Sequence, residues 1–310
     1  MRLAIPAIVL LEAACRSACP GGCGDGTRPT VGSALTATAS SSAIRRFGGD
    51  RPALVIAKAD SVQMLLLALH GYGDTAANFV GALELPALAR SNGFILIAPD
   101  GTVDAHGNRF WNATDACCNF FGSEVDDVAY LRSLLREVAA AYHVDPRHRY
   151  VLGLSNGAFM AHRLACEAAD EIAAIVPIAG TTWIDPDRCR PSSPVSVLQV
   201  HGDADRIVLY AGGADVLGRG QGAYPGSVAT VDRWARLDGC SGRLAQASPL
   251  LALYYSPTTV TTVAQAAGCP VGVDVRLFTM HDAPHFPAFT PAFGDWVFTW
   301  LKAHPKVARP

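Results

Sequence analysis

The chain has 310 residues, of which half are hydrophobic and 17% are charged, with 25 Lys and Arg against 27 Asp and Glu. This composition excludes a disordered chain and a coiled coil, and the net charge of −2 lacks the basic footprint of a nucleic-acid-binding protein. The length suits one large domain or two small ones.

The first 15 residues have the features of an export signal. Met1 and Arg2 precede an apolar run over residues 3–11 that is too short to span a bilayer, and small residues follow it. Cys15 offers a lipid-attachment site of the bacterial lipoprotein kind, but Glu12 stands where such signals usually carry Leu, so an ordinary cleaved signal is the alternative. Residues 16–50, rich in Gly, Ser, Thr and Ala, are typical of a flexible arm. We therefore expect a secreted or periplasmic protein that has no membrane span.

From residue 51 to about 305, strands alternate with helices in one domain. The continuous apolar runs 64–69 and 94–98 are typical of strands buried on both faces of a parallel sheet. One helix is predicted between them, over 75–91, and a capping-box pattern at Ser123 and Asp126 precedes a helical apolar stripe over 125–138. Further strands are predicted at 150–152, 172–179, 195–200 and 273–280, and further helices at 158–169, 227–237 and 291–303, with a hairpin in the irregular stretch 211–262. The alternation predicts a doubly wound, mostly parallel α/β sheet.

The sharpest motif is Gly153-Leu154-Ser155-Asn156-Gly157, which fits G-x-S-x-G directly between a predicted strand and a predicted helix. A nucleophilic serine needs this tight turn, because the turn exposes Oγ at the sheet edge and leaves a backbone N–H to bind an oxyanion. The flanking glycines leave room where a Cβ would clash. Ser155 is therefore the predicted nucleophile.

The other members of a catalytic triad should follow in the order acid, then histidine. Asp205, in the loop after strand 195–200, is the predicted acid, and Asp203 is interpreted as a turn former. Beyond the last strand lie His281 and His285; His285, just before the final helix and between two prolines, is the predicted base, with His281 as the alternative.

Glycines in Leu69-His70-Gly71-Tyr72-Gly73-Asp74 allow a backbone to approach a carbonyl oxygen closely. We predict that the N–H groups of Tyr72 and Asn156 form the oxyanion hole. Loops carrying Trp111 and Trp183 should open at the same sheet edge, where ligands bind in open α/β folds. These two side chains, together with Phe286, are the candidate substrate contacts.

These motifs together resemble the secreted polyhydroxybutyrate depolymerase-like and feruloyl or acetylxylan esterases. The likeness covers roughly residues 52–303, and its most specific blocks are Phe110-Trp111-Asn112-Ala113-Thr114-Asp115-Ala116-Cys117-Cys118 and Val125-Asp126-Asp127-Val128-Ala129-Tyr130-Leu131. Where many members carry G-G-H-x-W-P, this chain has Ala283-Pro284-His285-Phe286-Pro287. The resemblance implies an α/β-hydrolase fold, with Ser155, Asp205 and a C-terminal-loop histidine as the triad.

The expected reaction is hydrolysis of a carboxylic ester through an acyl-enzyme, on a polymeric substrate such as a polyhydroxyalkanoate or a feruloyl or acetyl polysaccharide ester. No metal or other cofactor is expected, since no cluster has zinc spacing and Asp203-Ala204-Asp205 lacks the further ligands of a calcium loop. A peptidase or acyltransferase on the same fold, and a non-catalytic polymer-binding relative, are the alternatives. Neither the fold nor the triad identifies which ester is the substrate.

Nine cysteines are many for a reduced compartment. Three lie before residue 24, and six lie in the predicted catalytic domain, where 15 pairings are open. The family pattern suggests that Cys240 pairs with Cys269, and that Cys117 and Cys118 pair separately with Cys166 and Cys189.

Overall fold

The computed structural model describes residues 46–57, 64–216, 218–219, 222–255 and 260–307. The predicted export signal over 1–15 with Cys15, and the predicted arm up to residue 45, lie outside these ranges. None of the helices within the ranges is long and apolar enough to cross a membrane.

Nine strands of the described chain form one sheet. Their spatial order is β1-β3-β2-β4-β5-β6-β9-β8-β7, and the six strands from β3 to β9 in that order run parallel, while β1, β8 and β7 pair antiparallel. The strands are β1 (Leu54–Ile56), β2 (Met64–Leu69), β3 (Phe94–Ala98), β4 (Arg149–Leu154), β5 (Ala174–Ile178), β6 (Ser196–Gly202), β7 (Leu244–Leu251), β8 (Thr261–Ala266) and β9 (Val275–Met280). The predicted doubly wound, mostly parallel sheet is confirmed, and so is the hairpin, which is β7 with β8.

Helices cover both faces of this sheet. They are α1 (Ala76–Ala82), α2 (Leu85–Asn92), α3 (Asp127–Tyr142), α4 (Asn156–Glu167), α5 (Ser227–Leu237) and α6 (Pro291–Ala303). Alternate residues of β2 enter two different cores: Leu65 and Leu67 pack with α3, α4 and α5, whereas Leu66 and Ala68 pack with α1, α2 and α6. Side chains on both faces of a central strand are therefore buried, which explains why β2 and β3 are apolar throughout.

The single helix predicted over 75–91 is wrong, because two helices occupy this stretch. The backbone of Glu84 has a φ of 51°, in the left-handed region, and ends the run of helical geometry after α1. Pro86 then occupies the first turn of α2, where its missing N–H costs nothing. Thr75 caps α1, since its side chain accepts a hydrogen bond from Asn78 N–H at 3.2 Å.

Three disulfides lie in the described chain, and one part of the predicted pairing is wrong. Cys240 pairs with Cys269 as expected, but Cys166 pairs with Cys189, and Cys117 pairs with its neighbour Cys118. Cys166 lies in the last turn of α4, and Cys189 follows a short 3₁₀ helix after β5. Their Cα atoms are 5.0 Å apart, within the usual range for a disulfide. Because Cys166 and Cys189 pair with each other, neither is available to Cys117 or Cys118.

Candidate active site

Ser155 is the single residue between β4 and α4, and its backbone is strained. Its φ of 53° and ψ of −116° lie outside the regions that L-residues prefer. The neighbouring strand holds it there, since Ser155 N–H donates to Ile178 O at 2.8 Å. Its own carbonyl accepts the N–H groups of Ala158 and Phe159, which starts the helix. The turn therefore has the geometry that the G-x-S-x-G pattern predicts.

Close backbone packing explains the glycines around this turn. A Cβ on Gly153 would collide with the carbonyl of Gly157, and a Cβ on Gly157 would collide with the carbonyl of Leu69. Gly180, after β5, is also tight, since a Cβ there would lie 2.7 Å from Ser155 O. The turn, the end of β2 and the end of β5 thus meet at distances that exclude any side chain.

Asp205 and His285 meet at the same sheet edge. They follow β6 and β9, two adjacent parallel strands, and His285 Nδ1 lies 2.6 Å from Asp205 Oδ2. The other carboxylate oxygen, Oδ1, accepts the N–H groups of Ile207 at 2.8 Å and Val208 at 3.1 Å. The Asp205 side chain is fully buried, while 16% of the His285 side chain is exposed. An imidazole held in this way keeps Nδ1 as the donor and turns Nε2 outward.

The pKa of Asp205 lies well below its usual range. Burial alone would raise that pKa, but hydrogen bonds from His201 and His285 and from backbone N–H groups stabilise the carboxylate more strongly. Asp205 is therefore ionised at neutral pH.

His201 also contacts Asp205, a contact that the sequence analysis missed. Its Nε2 lies 3.1 Å from Asp205 Oδ2 and 2.8 Å from Val208 O, and its Nδ1 lies 2.5 Å from Ser227 Oγ. The four-residue spacing between His201 and Asp205 across a turn is the only sequence signal for this contact.

His281, the alternative base, pairs with a different aspartate. Its Nδ1 lies 2.8 Å from Asp203 Oδ2, and its Nε2 lies 2.9 Å from Thr262 Oγ1. Both ring nitrogens are therefore engaged, whereas a general base needs one nitrogen free for the nucleophile. Asp203 also accepts Asp282 N–H at 2.7 Å, so it does more than form a turn.

The loop after β2 lies beside Ser155. A Cβ built on Gly71 would be 3.5 Å from Ser155 Cβ. The Gly71 carbonyl faces His70 Nδ1 at 2.7 Å and also accepts Asp74 N–H at 3.2 Å. Since a trans peptide is planar, fixing this carbonyl points the Tyr72 N–H the opposite way.

His70 joins this loop to Gly101, and Asn156 holds the nearby backbone of Trp111. His70 Nε2 accepts Gly101 N–H at 2.9 Å, and burial lowers the pKa of His70 despite its hydrogen bond with Gly71, which keeps the ring neutral. The side chain of Asn156 makes two hydrogen bonds with the backbone of Trp111. Its Oδ1 accepts the Trp111 N–H at 2.6 Å, and its Nδ2 donates to Trp111 O at 2.9 Å. The N–H of Asn156 is the first of α4, a position without a partner inside the helix.

The three candidate substrate contacts differ in exposure. Trp111 is fully buried and donates through Nε1 to His70 O at 3.1 Å, and Trp183 is only 3% exposed. Phe286 is 38% exposed and packs edge-on against Phe289. Of the three side chains, Phe286 is therefore the one that offers substantial exposed surface to a ligand.

The strand order and the strand-to-helix turn at Ser155 define the α/β-hydrolase fold. Within the ranges that the structure describes, no group of three His, Cys, Asp or Glu side chains could hold a metal ion. A solved acetyl xylan esterase from Aspergillus awamori superposes with a TM-score of 0.56 at 14% identity, covering 84% of this chain and 96% of that one. At this identity the likeness supports the fold alone.

A model of the family described as esterase PHB depolymerase matches residues 53–240, and the chain belongs to this family. Feruloyl esterase B of Piromyces equi is 27% identical over 245 residues, which is 78% of this chain and 42% of that protein. Poly(3-hydroxyalkanoate) depolymerase C of Paucimonas lemoignei is 27% identical over 177 residues, 55% of this chain and 39% of the depolymerase. The chain thus spans about two fifths of the length of these relatives. The resemblance stated from the motifs is confirmed at the level of the family.

Proposed function

We propose that the protein is a serine esterase in which Ser155, His285 and Asp205 form the catalytic triad. The observation that carries this proposal is the 2.6 Å contact of His285 with the buried Asp205, on loops that leave the same sheet edge as the strained Ser155 turn. This chain order of nucleophile, acid and base is the one that the fold uses.

The chemistry proceeds in two steps of acyl transfer. His285 Nε2 takes the Ser155 hydroxyl proton while Oγ attacks the ester carbonyl, and the N–H groups of Tyr72 and Asn156 bind the resulting oxyanion. The alcohol leaves with the proton from His285. Water, activated by the same nitrogen, then releases the acid and restores Ser155. Ionised Asp205 stabilises the imidazolium that forms in each step.

The substrate that we propose is a neutral, polymeric ester, either a polyhydroxyalkanoate-type polyester or a feruloyl or acetyl ester of a polysaccharide. Apolar side chains follow the carboxyl ends of β5, β6 and β9 on the surface; they are Ile184, Ile207, Leu209 and Phe286, each 38–51% exposed. Such surface suits an apolar acyl group or chain. The names of the relatives, a feruloyl esterase and a polyhydroxyalkanoate depolymerase, agree with both substrates.

We also propose export, with residues 1–15 as the signal, 16–50 as an arm and 51–305 as the catalytic domain. Three disulfides in the described chain support an oxidising compartment. Whether Cys15 carries a lipid would be read from the mass of the mature N-terminal peptide.

Purified protein should hydrolyse p-nitrophenyl butyrate and release acid from poly(3-hydroxybutyrate) film or from feruloylated or acetylated xylan. It should not cleave a p-nitroanilide peptide. Amide cleavage without ester cleavage would favour a peptidase, and no cleavage of any of these substrates would overturn the proposal. The polymer that yields soluble acid identifies the substrate class.

A further inference from the structure

Asp205 Oδ2 receives two imidazoles, although a triad needs only one. His285 Nδ1 lies at 2.6 Å and His201 Nε2 at 3.1 Å from the same oxygen. Asp205 Oδ1 is separately occupied by the N–H groups of Ile207 and Val208. All four acceptor positions of the carboxylate are thus filled.

We propose that His201, oriented by Ser227, is a positioning residue that directs the second lone pair of Asp205 Oδ2 at His285. The proposal rests on the proposed function. A carboxylate oxygen has two in-plane lone-pair directions, so a donor on one of them leaves the other as the favoured direction for His285. The resulting chain of contacts runs from Ser227 through His201 and Asp205 to His285.

The neighbours of His201 fix its tautomer. Nε2 faces two acceptors, Asp205 Oδ2 and the Val208 carbonyl at 2.8 Å, so Nε2 must carry a hydrogen. In the neutral ring Nδ1 then accepts the hydroxyl hydrogen of Ser227, whose Oγ is 2.5 Å away. Replacing Ser227 by a residue without a hydroxyl would remove the group that selects this tautomer.

The surroundings of His201 are buried and tightly packed. His201 and Ser227 are fully buried, and the ring of Tyr210 packs edge-on against His201 with centroids 5.7 Å apart. Ser227 opens α5, and its N–H donates to Tyr210 O at 2.8 Å. Since water cannot replace the lost donor without entering this packing, the acid depends on His201 for its orientation.

This placement predicts an effect on kcat and not on KM. His201 is fully buried, and its polar contacts are with Asp205, Val208 and Ser227. Without His201, Asp205 Oδ2 loses one of the two donors that fix its direction, which would misplace the base, and a misplacement of about 1 Å costs about 100-fold in rate.

The test compares kcat, KM and melting temperature for the unmutated protein, His201→Phe, His201→Gln and Ser227→Ala, with p-nitrophenyl butyrate. His201→Phe should lower kcat by about 10- to 100-fold with KM within two-fold. His201→Gln keeps an N–H donor at a similar reach, so its kcat should stay within about five-fold of the unmutated value. Ser227→Ala should lower kcat by about 3- to 10-fold, the size of one lost hydrogen bond. His148→Phe, at the amino end of β4 and thus at the opposite sheet edge, is the control and should leave kcat unchanged.

A double-mutant cycle separates positioning from general stability. In an Asp205→Ala background, His201→Phe should lower kcat by less than two-fold, because His201 can no longer act on His285 through Asp205. An undiminished loss in that background, or a kcat of folded His201→Phe equal to the unmutated value, overturns the proposal. If His201→Phe does not fold, Ser227→Ala decides, and an unchanged kcat there overturns it. Inactive unmutated protein would instead refute the esterase function itself, so the two failures are distinguishable.

Discussion

At the scale of single residues, two histidine–aspartate pairs join the same two loops but differ in their surroundings. The Asp205 side chain is fully buried, whereas that of Asp203 is 33% exposed and that of its partner His281 is 38% exposed. An exposed ion pair of this kind adds little stability. Only the buried pair offers a water-excluded carboxylate that can stabilise an imidazolium.

Replacing each histidine by alanine should separate their roles. His285→Ala removes the proposed base and should lower kcat by about 10⁴-fold or more. His281→Ala loses only contacts with Asp203 and Thr262 at the surface, so its kcat should stay within about three-fold. Steady-state kinetics on a p-nitrophenyl ester measure both, and equal losses in the two variants would contradict the assignment of His285.

At the scale of elements, the site depends on how closely three backbones approach. The Ser155 turn lies against the end of β2 and the end of β5, and glycines at 153, 157 and 180 allow the contact. Strain at Ser155 persists because the neighbouring strand holds its N–H through Ile178 O.

Gly157→Ala should therefore destabilise the fold. The added Cβ would meet the carbonyls of Leu69, at the end of β2, and His70, just beyond it; this buried backbone cannot move aside cheaply, so the free energy of unfolding should fall by about 1–3 kcal/mol. Gly81→Ala is the matched control: it lies in α1 with open space around it and should gain about 0.5–1 kcal/mol from helix propensity. Denaturant titration of both variants measures this, and a neutral Gly157→Ala would refute the packing argument.

Some elements follow from local pattern and others depend on distant contacts. Buried runs such as 64–69 predict their strands because both faces of a central strand must be apolar. The break in helix 75–91 escaped prediction because it rests on the left-handed backbone of Glu84. The Cys166–Cys189 pair likewise depends on where the last turn of α4 meets the segment after β5 in space.

The same division holds within the site. The local motif around Ser155 is enough to predict its strained turn. The contact of His201 with Ser227 joins two residues that are 26 positions apart in the sequence, so it requires α5 to pack beside β6. The burial of Trp111 depends on contacts with His70 and Asn156, which no neighbouring residue reveals.

At the scale of the whole molecule, one buried acid should shape the pH dependence of stability. Asp238 follows α5, is 1% exposed, and accepts Val195 N–H at 2.9 Å through Oδ1. Burial raises the pKa of Asp238 to about 8, although the Val195 hydrogen bond and the charge of Lys306 oppose the rise. Between pH 4 and 8 the folded protein therefore holds a proton that the unfolded chain has lost, so Asp238 makes the fold less stable as pH rises.

Asp238→Asn should remove this pH dependence and keep an oxygen for Val195. Its gain in the free energy of unfolding over the unmutated protein should be smallest near pH 4 and grow toward pH 8, by at most about 1.4 kcal/mol per pH unit. Denaturant titrations at several pH values measure the difference. A constant difference across that range would contradict the raised pKa of Asp238.

Activation of Ser155 is the central claim, and covalent labelling tests it most directly. The intact protein is incubated with a fluorophosphonate probe, and the labelled residue is identified by mass spectrometry, with Ser155→Ala and a Ser91→Ala surface control treated alongside. The account predicts stoichiometric labelling at Ser155 in the unmutated protein and in Ser91→Ala, and none in Ser155→Ala. Unmutated protein that resists the probe, or that is labelled equally well after Ser155→Ala, would contradict it.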